Sequence, residues 1–271
     1  MPGKMKRFEL KENYGVEDLL KIMELLRSED GCPWDREQTH ESIRRNFIEE
    51  TYEVAEAIDQ QDAALLQEEL GDVLLQVVFH SRMEEEKGTF SFQDVCDGIC
   101  KKLILRHPHV FGDVVADTSE QVLKNWDEIK KKEKGQKTQT DAVRAVPKTL
   151  PALMRSAKVQ SRAAKTGFDY PALSDAMGDL ESELAELKQA VQSGVQEDIS
   201  EEFGDLLFSC VNVSRFLSLD AEEALSFATE KFITRFAQVE RLASEQGVNM
   251  KEASLETLNE LWAQAKKKVN S

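Results

Sequence analysis

Glu49-Glu50-Thr51-Tyr52-Glu53, followed across a short gap by Glu68-Glu69-Leu70-Gly71-Asp72, is the stretch from which the rest of the chain can be read. The arrangement returns as Glu183-Leu184-Ala185-Glu186 and Glu201-Glu202-Phe203-Gly204-Asp205, with the same gap between E-x-x-E and E-x-x-D. Residues three apart on a helix share a face, so each pair points two carboxylates the same way. Polar breaks lie midway, at Asp59-Gln60-Gln61-Asp62 and at Gln192-Ser193-Gly194-Val195. Folding back at each break as an antiparallel hairpin sets Glu53 level with Glu69 and Glu50 with Asp72. The same arithmetic pairs Glu186 with Glu202 and Glu183 with Asp205.

Such a patch calls for a cation. Two like charges about 5 Å apart repel by roughly 3 kcal/mol at an effective dielectric of ~20. Hard oxygen donors without His or Cys select Mg²⁺, Mn²⁺ or Ca²⁺ over zinc, and Mg²⁺ keeps open positions that phosphate oxygens can enter. A single copy in a chain with 51 Asp+Glu in 271 residues is also what a solvated acidic face looks like. The second copy, in register, argues against that reading. So does the repeated apolar frame, Leu70, Val73, Leu74, Val77, Val78 against Phe203, Leu206, Leu207, Cys210, Val211.

The net charge of −16 argues against a nucleic-acid backbone or an anionic membrane as the main partner. A small anionic substrate remains open if metal ions and a few local cations receive it. Cys32, Cys96, Cys100 and Cys210 form no C-x-x-C pair, which suits a reducing cytoplasm and no zinc site. The first residues show neither a signal peptide nor, further on, a membrane span.

Outward from the carboxylates, no strand pattern of any length appears, and the expected fold is all-α. Residues 1–129 form a first helical repeat, 130–151 a linker rich in Lys and ending in Val146-Pro147-Lys148-Thr149-Leu150-Pro151, and 152–271 a second repeat. In the first repeat an amphipathic helix runs from Val16 to Ser28, then Gly31-Cys32-Pro33-Trp34-Asp35 forbids its continuation. Thr39 is the expected N-cap of the helix carrying Glu50 and Glu53. The return helix ends before Gly88, a further helix runs from near Ser91 to before Pro108, and another, capped at Asp117, Thr118 or Ser119, includes Trp126. The second repeat keeps this order, with Thr166-Gly167-Phe168-Asp169-Tyr170-Pro171 in place of the Cys-Pro-Trp-Asp loop.

Lys102/Arg106 and Lys231/Arg235 are i, i+4 pairs, each on one helix face, and suit a polyphosphate held beside a metal. The same cations also suit salt bridges to the abundant Glu. Trp126 and Trp262 fit either packing or stacking on a base. His107 and His109 have no repeat counterpart and read as structural. Glu37-Gln38-Thr39-His40 is the lone E-x-x-H, whereas a ferritin-like di-iron site requires two.

Taken together, Cys32-Pro33-Trp34-Asp35, Glu49-Glu50-Thr51-Tyr52-Glu53 with Glu69-Leu70-Gly71-Asp72, the Val146–Pro151 segment, and Glu202-Phe203-Gly204-Asp205 followed by Lys231-Phe232 and Arg235 resemble the bacterial MazG nucleoside triphosphate pyrophosphohydrolases. The resemblance covers nearly the whole chain. It implies tandem helical-bundle units completed by homodimerisation, Mg²⁺ with Mn²⁺ as a possible substitute, and hydrolysis of a (deoxy)nucleoside triphosphate to the monophosphate and pyrophosphate. It further implies that Glu183, Glu186, Glu202 and Asp205 bind the metal and carry catalysis in the second repeat, with Glu50, Glu53, Glu69 and Asp72 as metal ligands in the first. Lys231 and Arg235 would hold the phosphates and Trp262 would sit by the base. The family's E-E-x-x-E is complete at Glu49, but its first Glu is Ser182 in the second repeat. Two rival classes are a carboxylate-bridged di-metal protein of oxygen chemistry and a non-catalytic acidic interaction module.

Overall fold

The computed structural model describes residues 8–114, 118–122, 125–126, 129 and 138–269, and every regular element among them is helical. The chain divides into two compact units, one up to residue 133 and one from residue 134. The first contains α1 (Val16–Arg27), α2 (Pro33–Glu37), α3 (Arg44–Asp59), α4 (Ala63–Glu86), α5 (Phe92–Arg106) and α6 (Pro108–Phe111). The second contains α7 (Gln139–Arg144), α8 (Ala152–Ala164), α9 (Leu173–Ser193), α10 (Gln196–Phe216), α11 (Ala221–Glu245) and α12 (Leu255–Val269).

Each unit is built on a helical hairpin, and the polar breaks make the turns. After α3 the backbone turns through Gln61 at φ 55°, a left-handed conformation tolerable at a single residue. Asp62 then caps α4, its carboxylate accepting from the amides of Ala64 and Leu65. In the second unit Gly194, at φ 74°, ends α9 at no steric cost, and α10 follows directly.

The core of the first unit lies on the far half of α4. Met23, Ile43, Val78, Phe79 and Met83 are buried together, with Leu19, Leu20, Leu75 and Phe92 packed around them. Arg27 ties α1 to α4 through a salt bridge to Glu86 at 2.9 Å, and its guanidinium lies over the Phe79 ring. The near half of α4, with Glu69 and Asp72, is left outside that core. The second unit has a comparable cluster between α11 and α12, of Val239, Leu242, Ala243, Leu261 and Ala265.

Two expectations of local structure change. Thr39 does not cap α3, which begins at Arg44; its hydroxyl accepts from the Ser42 amide in a separate turn. The reason is tertiary, since His40 is drawn onto α4, with ring nitrogens 2.7 Å from His80 Nδ1 and 2.6 Å from Glu84 Oε1. The segment 138–151, read as part of a linker, holds α7, capped by Thr138, and buries Val146 in the second unit. Arg162 donates to the main-chain carbonyl of Ala142, which fixes α7 to α8. Of the helix expected around Trp126, only 118–122, 125–126 and 129 are described; Asp117 and all of 130–137 lie outside the described residues.

Gly31 shows how tightly the loop after α1 is drawn in. A Cβ there would stand 2.3 Å from the carbonyl oxygens of both Leu25 and Leu26, backbone that cannot give way. Gly31→Ala is expected to displace the loop and destabilise the protein by about 1–3 kcal/mol. The check is a lowered urea midpoint with an unchanged m-value.

Candidate metal centre

The hairpin turn brings the first carboxylate set together as the spacing requires. Oxygens of Glu50, Glu69 and Asp72 lie within 4.8 Å of one another, on half-buried side chains. Glu53 adds its charge to both Glu50 and Glu69. Partial burial first, then the field of the neighbouring carboxylates, raises the proton affinity of Glu50 and Glu69 above the ordinary carboxylate range. Glu49 stands apart from this arrangement in a surface pair with Arg45 at 2.8 Å.

The second unit repeats the design. Oxygens of Glu183, Glu186 and Glu202 lie within 4.8 Å of one another, and Asp205 adds its charge to both Glu183 and Glu202. Burial and these neighbours raise Glu183 and Glu202 in the same sense. Ser182, where the first repeat has Glu49, donates to Glu186 Oε1 at 2.9 Å and so holds one member of the cluster.

Beside this second cluster opens a cleft of about 580 Å³, and Glu183 and Asp205 form part of its wall. The wall contains a polar network that motif reading did not anticipate. The Asp179 carboxylate beside Tyr170, together with burial, pushes the phenol up to about 12. Ser209 donates to the same carboxylate. Asp169 takes a two-nitrogen grip from Arg215, and that guanidinium also donates to Asn212 at 2.8 Å. Asp179 was findable in the sequence, because it stands one helical turn before Glu183 on the same face. Gln160 and Arg215 carried no local signal, since they reach the cleft only through packing of α8 on α10.

Lys231, Arg235 and Trp262 do not line this cleft. Lys231 is exposed on α11 and Arg235 half-buried one turn on. Between them Phe232 meets the Trp262 ring at 5.3 Å between centroids, and Lys266 stands 6.0 Å over that ring. Trp262 also packs against the buried α11–α12 cluster. In the first unit Lys102 is exposed and Arg106 lies over Trp126 at 5.7 Å, a related grouping of cation and indole. His107, read as structural, has its Nδ1 2.7 Å from the Leu103 carbonyl oxygen at the end of α5. No helix among the described residues is long and apolar enough to cross a membrane.

Comparison with known proteins agrees with this geometry. The model of the MazG nucleotide pyrophosphohydrolase domain matches twice, over residues 38–111 and 174–240, once on each carboxylate hairpin. The nucleoside triphosphate pyrophosphohydrolase of Escherichia coli K12 is 46% identical over 255 residues, covering 93% of this chain and 97% of the relative. The nucleoside triphosphate pyrophosphohydrolase/pyrophosphatase MazG of Thermotoga maritima is 46% identical over 250 residues, covering 92% of this chain and 95% of the relative. Bacillus subtilis YabN is 45% identical over 246 residues, 90% of this chain but 50% of its own length. With two domain matches, each centred on a converging carboxylate set, the chain belongs to the MazG nucleotide pyrophosphohydrolase family.

Proposed function

We propose that the protein is a nucleoside triphosphate pyrophosphohydrolase that uses Mg²⁺, with Mn²⁺ as a substitute, to cleave (d)NTP into monophosphate and pyrophosphate. The observation that carries this reading is the convergence of carboxylate oxygens within 4.8 Å in both units, in a chain nearly half identical to enzymes of that name. The donor set fits the ion: all oxygen, flexible Glu and Asp side chains, and proton affinities raised in a way a divalent cation would relieve.

Glu183, Glu186, Glu202 and Asp205 would hold the ion in the second unit, and Glu50, Glu53, Glu69 and Asp72 in the first. When bound, Mg²⁺ polarises the α-phosphate and makes a water more acidic. The chain's own part begins with a carboxylate that keeps an oxygen for the attacking water and takes its proton as the bond to the α-phosphorus forms. Lys231 and Arg235 meet the charge of the departing pyrophosphate. Trp262, packed against Phe232 between these cations, belongs to the same substrate-contacting group. The second unit is the one bordered by a cleft of nucleotide size, which favours it as the main site.

A homodimer fits the surface left open by the hairpins. Leu184, Val191, Phe203 and Leu207 are exposed on α9 and α10, and Ile48, Tyr52, Leu70 and Leu74 on α3 and α4. Stripes of that size on a carboxylate-bearing hairpin call for a covering partner.

Incubation with ATP and Mg²⁺ is expected to yield AMP and pyrophosphate, and EDTA to stop the reaction. Glu202→Ala should lower turnover at least about a hundredfold with helical content intact. Diphosphate with phosphate as products, or wild-type turnover in that variant, would refute the assignment. Retained activity that Glu69→Ala removes would move the main site to the first unit.

The clusters also set a pH dependence. A carboxyl group whose folded pKa is raised destabilises the fold above that pKa, where the charge is held against repulsion, and the cost fades as the pH falls through it. Glu183→Gln is therefore expected to raise the melting temperature at pH 7.5 in EDTA by a few degrees, with the gain shrinking toward pH 4. Mg²⁺ at pH 7.5 should stabilise the wild type more than the variant. A variant less stable than wild type in EDTA would contradict the repulsion argument.

A further inference from the structure

We propose that Asp179 and Ser209 form a clamp that sets the second carboxylate cluster at the spacing its metal ion needs, as positioning residues and not as ligands. This rests on the metal reading above and adds to it what holds the ligands in place.

The helices of the second hairpin run antiparallel, so 186 faces 202, 183 faces 205, and 179 faces 209 one turn further on. At that third level Ser209, only 4% exposed, donates to Asp179 Oδ2 at 2.5 Å. A hydroxyl given to a carboxylate is among the shorter and stronger hydrogen bonds. Tyr170, in the loop entering α9, stands beside the same carboxylate.

The cluster needs such a contact. Its first two levels set carboxylate against carboxylate and push α9 away from α10. The Ser209–Asp179 level is the first beyond them that attracts. In the first unit the corresponding positions are Asn46, which is exposed, and Gln76, whose Oε1 has no hydrogen-bond partner among the described residues. One turn further, however, Ile43 and Phe79 are buried in the core of that unit. The second unit has Ala176 and Asn212 at that level, a small and a polar side chain that offer no equal apolar anchor. Its hydrogen bond therefore serves where Ile43 and Phe79 serve in the first. Glu183 lies one helical turn from Asp179 and Asp205 one turn from Ser209, so the separation that the bond fixes is passed to both carboxylates. Groups that orient metal ligands in this way typically change affinity by about ten- to a hundredfold.

Mn²⁺ binding, read from the electron paramagnetic resonance signal of the free ion, tests the clamp. The parent is the full chain carrying Glu50→Ala and Glu69→Ala, which leaves the second set to bind. Ser209→Ala and Asp179→Ala are each expected to weaken Mn²⁺ binding by about tenfold or more. Together they should weaken it no further than either alone, because both remove one bond. Asp179 also bears on Glu183 through its charge. Asp179→Asn removes that charge but keeps an acceptor for Ser209, and should stay within about threefold of the parent. An Asn variant as weak as the Ala variant would make charge the active feature and overturn the clamp. Parental Mn²⁺ affinity in Ser209→Ala would overturn it too, even with a lower melting temperature in EDTA, since a contact that only supports the fold leaves affinity unmoved. A parent that binds no Mn²⁺ is a distinct result, and would remove the metal reading of this cluster together with the clamp.

Discussion

The structure depends on holding like charges together. Each unit places four carboxylates where two helices of a hairpin face one another, an arrangement that repels itself in the absence of a cation. Hairpin turns set by Asp62 and Gly194 fix the level of one helix against the other, and helical spacing fixes the face. Packing elsewhere must oppose the repulsion. In the first unit it comes from the far half of α4, where Val78, Phe79 and Met83 are buried against Met23 of α1 and Ile43 before α3. One long helix is thus anchored at one end and charged at the other. That division leaves the carboxylates supported by a core but outside it, reachable by ions and phosphate.

The two units share this frame and differ in what surrounds it. In the first, His40, His80 and Glu84 bind the chain before α3 to the far half of α4; the His40 and His80 rings stack with centroids 5.0 Å apart. Glu84, held by Lys87, Thr89 and His40, stays ionised down to about 2, so this contact is a firm acceptor for the histidine. In the second, the space flanking the hairpin is lined by Asp179, Tyr170, Ser209 and the Asp169–Arg215 pair. Duplication kept the carboxylate geometry, and the walls beside it diverged from a structural pin to a polar cleft.

How much of this could be read from the chain follows from the range of each interaction. The hairpins, their turns and the Glu50–Glu69–Asp72 and Glu183–Glu186–Glu202 convergences rest on spacing of three and on polar breaks, which are local and repeat. The start of α3 could not be read. A Thr at position 39 looks like a cap, but His40 is claimed by residues forty positions away, and that contact decides where the helix begins. The order within 138–151 was illegible for a similar reason: its lysine and prolines suggest a boundary, yet Val146 is buried and Arg162 binds the Ala142 carbonyl. Asp179 lay one turn from a recognised motif and was legible in principle. Gln160 was not, because a glutamine on an amphipathic helix acquires meaning only once the Phe208 carbonyl fixes its amide.

Charge balance gives the remaining constraint on how a triphosphate is held. Among the residues of the cleft wall Asp169, Asp179, Glu183 and Asp205 are acidic and Arg215 alone is basic, already gripped by Asp169. A bound cation offsets part of this, and a triphosphate adds further negative charge, so other cations must approach. Lys231 and Arg235 are the pair on offer, on a helix where the flanking Phe232, Ile233 and Phe236 are exposed. Apolar exposure on both sides of two cations is an unstable surface for an isolated chain in water. The homodimer proposed above would cover it, and the same step can carry the cations toward a carboxylate cluster. On that proposal, assembly and neutralisation of the substrate's charge would be one requirement, met by Lys231 and Arg235 on the apolar face of α11.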